Sequence, residues 1–85
     1  MQTFVYKIKD ELGLHARPAG LLVKSATACT SEVTLQVNGK SANAKRLFAV
    51  MGLGAKQGDT LEFSVEGTSE AEDSAKLKEF CEQNF

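Results

Sequence analysis

The chain holds a single histidine, and it falls in the run Gly13-Leu14-His15-Ala16-Arg17-Pro18-Ala19. Pro18 suits the first turn of a helix, where its missing N–H would be unpaired anyway. His15 is therefore expected at or just before the helix start. The free amides of the first turn, that of Ala16 among them, point at this spot, and the helix dipole makes it positive. The result is an anion site built from backbone. A phosphoryl group added to a ring nitrogen would find donors waiting there. Arg17 would bring a planar fork of N–H groups to its oxygens. Gly13 permits a sharp loop turn and the close approach of a partner. Each residue alone has an ordinary explanation: a helix-capping or surface histidine, a surface arginine, a helix-starting proline. Together they point to anion chemistry at a nitrogen nucleophile, without naming a reaction.

Other chemistries find little support. There is no P-loop and no G-x-S-x-G, and a histidine with no acid in its motif is a poor general base. Cys29 and Cys81 are far apart and, with one histidine, make no zinc ligand set, so neither a metal nor a cofactor is expected. They read as reduced, partly buried thiols of a cytoplasmic chain. No stretch nears the roughly 20 apolar residues of a membrane span, and the N-terminus lacks the pattern of a secretion signal. Residues 1–56 carry eight bases against three acids, net +5, whereas residues 57–85 carry two against eight, net −6. A basic face would favour an acidic partner. Without an overall basic balance or basic–aromatic interleaving, nucleic acid is not expected.

The elements that must position His15 are short. At 85 residues the chain is one domain, 1–85, with a modest core. Thr3–Ile8, Glu32–Val37 and Thr60–Glu66 alternate apolar and polar residues and read as strands. Asn38-Gly39 is a hairpin signal, which makes Lys40–Ala44 the returning strand. Ala16–Thr27 reads as a helix with Pro18, Leu21, Leu22, Ser25, Ala26 and Cys29 on its apolar face. Leu47, Val50 and Met51 predict a short helix stopped by Gly52 or Gly54. Ser69 and Glu72 form a capping-box pattern before a helix over about 70–84, its apolar face made of Ala71, Ala75, Leu77, Phe80 and Cys81. One-sided strands call for a sheet covered on one face only. An α+β two-layer fold follows, with all helices on that face.

The run GLHARPA resembles the active-site signature of the HPr family, histidine-containing phosphocarriers of the bacterial sugar phosphotransferase system. Val37–Lys45 is similar to the hairpin between that family's second and third strands, and Leu47–Gly54 to its short helix and following turn. The resemblance implies a four-stranded antiparallel sheet, strand order 1-4-2-3, under three helices, an open-faced β-sandwich with order βαββαβα. It implies a monomeric carrier, not an enzyme. Enzyme I would charge His15 on Nδ1, and A domains or subunits of sugar permeases would take the group off. Arg17 and the amides of Ala16 and Arg17 would steady it. In the family the short helix flanks the active site and contacts both partners. Here Leu47, Phe48 and Met51 occupy it, with Lys24, Lys45 and Arg46 as a basic rim. Val50 is assigned to the core, Leu47 and Met51 are divided between core and interface, and Phe48 is an exposed anchor. Many members carry a serine at position 46 that a regulatory kinase phosphorylates. Arg46 offers no hydroxyl, so that kinase is not an expected partner. Leu12, apolar in a loop that is usually polar, is expected to pack beside the site.

Overall fold

Alternation decides which way the sheet faces. The computed structural model describes residues 1–85. Its elements are β1 (Gln2–Lys7), α1 (Ala16–Ala28), β2 (Glu32–Val37), β3 (Lys40–Asn43), α2 (Leu47–Met51), β4 (Thr60–Glu66) and α3 (Glu70–Asn84). Val33, Leu35 and Val37 of β2 and Leu61, Phe63 and Val65 of β4 are buried, and the residues between them mostly face out. The strands pair antiparallel in the order β1-β4-β2-β3, as expected. Phe4 lies opposite Phe63 in the β1–β4 register and stacks on it at 4.7 Å between ring centroids. The β2–β3 hairpin turns on Asn38 (φ +51°) and Gly39 (φ +80°), both left-handed as a two-residue turn of this hand requires.

Helices close the apolar face. Ala19, Leu22 and Ala26 of α1, Val50 of α2, and Leu77 and Cys81 of α3 are fully buried with the inward strand residues. Small alanines on α1 let it lie close to α2 and α3, and burial of this kind is worth about 25 cal/mol per Å² of apolar surface. Burial pushes the Cys81 thiol up to about 12, so it behaves as an inert apolar residue. Cys29 is raised as well, by burial first and the nearby Asp73 second. Both cysteines are unpaired.

Three expectations are corrected. The Ser69 side chain makes no capping bond; α3 opens instead with the Asp73 N–H on the Ser69 carbonyl at 2.9 Å. The inward stripe of α3 is Asp73, Leu77 and Cys81, spaced i, i+4, i+8, and Ala71 and Ala75 face solvent. The physical reason is Ser31. Its hydroxyl and its backbone N–H both donate to Asp73 Oδ2, at 2.6 and 3.2 Å, and both residues are buried. That interaction rotates an acid inward where apolar spacing alone would have chosen alanine. On α1, Leu21 is exposed instead of inward, because the stripe centred on Leu22 runs through Pro18, Ala19 and Ala26.

The Ser31 hydroxyl holds the Asp73 carboxyl below its usual range, with burial working against it. A carboxyl depressed on folding adds stability above its unfolded value, and that stability is lost as pH falls through the folded one. Ser31→Ala is therefore expected to cost about 1–3 kcal/mol near neutral pH. In urea melts the gap from wild type should narrow below about pH 4. A gap independent of pH would exclude this account. A second contrast concerns glycines. Gly13 has φ +64°, and a Cβ there would lie 2.6 Å from the Ala55 carbonyl oxygen and 2.7 Å from Lys56 Cα, whereas a Cβ on helical Gly20 meets nothing within 4 Å. Thermal melts should show Gly13→Ala destabilising by more than about 1–2 kcal/mol, the left-handed cost alone. Gly20→Ala should stabilise by up to about 1 kcal/mol.

Candidate functional site

His15 is the N-cap of α1. Its backbone is extended (φ −87°, ψ 177°), its side chain makes no capping bond, and its carbonyl accepts the Ala19 N–H at 3.0 Å. The amides of Ala16 and Arg17 precede that first intrahelical bond, and Pro18 has no N–H. The end of α1 beside the imidazole is thus open for an anion. The loop before it is fixed at several points. The Leu14 N–H donates to the Ala55 carbonyl at 3.0 Å and the Leu14 side chain is buried. Gly13 fits against Ala55 and Lys56 of its own chain, so its close approach serves this contact. The Gly13 N–H also donates to the Asp10 carbonyl at 3.0 Å, closing a four-residue turn.

An open hollow of about 270 Å³ lies over this end of the helix, lined by Asp10, His15, Arg17, Pro18, Leu21, Gln83 and Asn84. His15 and Arg17 thus share one depression, the imidazole one-third exposed and the arginine exposed with no ion pair of its own. Ala16 is exposed and Pro18 buried. Asp10 is the acid that the motif lacks. Its Oδ2 lies 3.9 Å from His15 Nε2, while its Oδ1 accepts the Leu12 N–H at 2.9 Å. Sequence reading missed it, although aspartate at the first and glycine at the fourth position of a turn is a known preference. Gln83 and Asn84 come from the end of α3 and leave no local signal. Leu12 does not pack beside the site; it is 71% exposed, tethered only through its backbone.

The remaining candidates spread along α1 and α2. On α2, Val50 is fully buried, Leu47 and Met51 are 37% and 38% exposed, and Phe48 is 87% exposed. Lys24 and Arg46 are exposed. Lys45 is occupied elsewhere: its Nζ donates to the Cys29 carbonyl at 3.1 Å, a cation at the C-terminal end of α1. That end lies about 20 Å of helix away from His15. No helix is long and apolar enough to cross a membrane.

Solved structures resemble the chain closely. A HPr (the HPr-C-His form) from Thermoanaerobacter tengcongensis is 36% identical with a TM-score of 0.93, covering 100% of this chain and 96% of that one. The histidine-containing phosphocarrier protein of a Mycoplasma is 32% identical, TM-score 0.90, covering 93% and 90%. The catabolite repression protein Crh of Bacillus subtilis, a domain-swapped dimer, is 33% identical, TM-score 0.76, covering 93% and 91%. Residues 2–83 match the family model described as the PTS HPr component phosphorylation site. A lone histidine at an open helix end, in this fold and under that match, means that the chain belongs to the HPr family of phosphotransferase-system phosphocarriers.

Proposed function

We propose that the protein accepts a phosphoryl group on His15 Nδ1 from phosphorylated enzyme I and passes it to A domains or subunits of sugar permeases. The observation that carries this reading is the single imidazole seated at the unpaired amide end of α1, with Arg17 in the same hollow. The resemblance to the family implies Nδ1 as the nucleophile, and the turn of Nε2 toward Asp10 supports that reading. The Nδ1 lone pair forms the P–N bond as the donor's bond to phosphorus breaks. The Arg17 guanidinium and the Ala16 and Arg17 amides take up the equatorial oxygens, where charge is spread in the transfer. Arg17 is exposed, so the same guanidinium is available to a docked partner.

Nothing in this scheme turns over by itself. Each cycle needs one donor and one acceptor, so the protein acts as a stoichiometric carrier; the proposal places it in the cytoplasm, as a monomer. Phe48, Leu47 and Met51 give the apolar contact, with aromatic Phe48 as its anchor. Exposed Lys24 and Arg46 steer acidic partners, an effect on association rate more than affinity. Lys45, with its ammonium committed to α1, adds charge from further off. A regulatory serine kinase has no substrate hydroxyl at Arg46. The likeness to the catabolite repression protein Crh favours, as a second reading, a regulatory module that binds a partner without being charged. Against it, this chain carries both His15 and Arg17.

Incubation with enzyme I and phosphoenolpyruvate should add one phosphoryl group by intact mass, lost in mild acid as a P–N bond is. His15→Ala should take up none while keeping its melting temperature. A wild-type protein of unchanged mass would favour the regulatory module. Arg17→Ala should still be charged, but its transfer to a permease A domain should slow by roughly 10- to 100-fold, from the loss of about 1.5–3 kcal/mol of hydrogen bonding to a charged group. An unaltered single-turnover rate would remove Arg17 from the mechanism.

A further inference from the structure

We propose that Asp10 is a positioning residue for the chemistry at His15: its Oδ2 takes up the Nε2–H of the imidazole while the phosphoryl group sits on Nδ1. The inference rests on the carrier reading above and supplies the group that balances the charged ring.

The geometry of Asp10 is unusually determined for a loop residue. Its N–H donates to the main-chain oxygen of Phe85 at 2.8 Å, its carbonyl accepts the Gly13 N–H at 3.0 Å, and its Oδ1 accepts the Leu12 N–H at 2.9 Å. With one carboxylate oxygen committed to the loop, the other faces Nε2 at 3.9 Å, both side chains one-third exposed. That separation is about 1 Å beyond a hydrogen bond. For the proposed bond to form, the carboxylate and the ring must close that gap when the ring is phosphorylated. The nitrogen of an imidazole that carries the proton is set by what the other ring atoms meet. A carboxylate facing one nitrogen holds the tautomer and favours the ring cation, the task of the buried acid in hydrolytic triads.

The balance of the step shows why a cation must be met. The Nδ1 lone pair attacks phosphorus, and the donor's bonding pair stays with the donor. No proton leaves His15, so the ring becomes a phosphoimidazolium that keeps its Nε2–H. On discharge the P–N pair returns to Nδ1 and the ring is neutral again. Of the groups facing the ring in the hollow, Asp10 and Arg17 are charged, and Gln83 and Asn84 from α3 are not. Arg17 and the amide end of α1 suit the phosphoryl oxygens but oppose a cationic ring. Among the side chains lining the hollow Asp10 is the one that acts in its favour, adding to the phosphoryl group's own negative charge.

Asp10→Asn isolates the charge, because the amide oxygen can still accept the Leu12 N–H. Both proteins are charged with enzyme I and phosphoenolpyruvate, the ring protons of phospho-His15 are followed by NMR against pH, and transfer to a permease A domain is timed across the same range. In Asp10→Asn the pH at which the phosphorylated ring loses its proton should fall by at least about half a unit. The rate profile should shift with it, and Asp10→Glu should restore part of both. The midpoint should fall more steeply with salt in wild type than in Asp10→Asn. Identical midpoints and profiles in wild type and Asp10→Asn would overturn the proposal and leave the carrier reading standing. Equal salt slopes in the two proteins would overturn it equally. A wild-type protein that gains no phosphoryl group would overturn the carrier reading first, and this with it.

Discussion

The loop between β1 and α1 has to deliver an imidazole to a helix end without burying it. Gly13 makes this possible. In its left-handed conformation the backbone comes so close to Ala55 and Lys56 that any side chain would collide. Leu14 then inserts into the core and its N–H binds the Ala55 carbonyl. His15 follows one residue later with no choice but to stand over the first turn. The amides that would bind an anion are left free because the chain enters the helix there, not because anything is strained open.

Both ends of α1 are tied down by different chemistry. At the N-terminus the tie is packing plus one backbone bond. At the other end it is polar: Lys45 binds the Cys29 carbonyl, and Ser31, two residues later, is held by the buried Asp73 of α3. A buried carboxylate is costly unless its hydrogen bonds are made. Here two donors from Ser31 meet it. The pair therefore fixes how α1 and α3 lie against each other, and α3 in turn brings Gln83 and Asn84 to the rim of the site. A rigid helix with an exposed end suits the proposed transfer, in which partner proteins must reach His15.

Surface composition fits the same use. Phe48 stays almost wholly in solvent although the core is only a few residues away. One exposed aromatic is unremarkable. An exposed aromatic beside two partly exposed apolar neighbours on a five-residue helix forms a small apolar patch, which the proposed function uses for docking. The open side of the sheet, by contrast, carries the outward half of each alternating strand, polar apart from Val5, which gives it little to hold a partner.

The strands, the Asn38-Gly39 hairpin, the three helices and the His15–Arg17–Pro18 constellation were all legible in the sequence. They are set by local physics: alternation, turn conformation and the backbone of a helix start. Chain order and one-sided strands also restricted the layers to two. The inward turn of Asp73, the outward turn of Leu21, the tether on Lys45 and the arrival of Asp10, Gln83 and Asn84 at the site were decided by tertiary structure. Each depends on a partner distant in sequence or on the exact closure of a loop. Ser31 and Asp73 are 42 residues apart, and no local pattern announces that an acid will find two buried donors at that distance. Sequence periodicity shows which residues can face inward; which of them do is settled by the partner that meets them there.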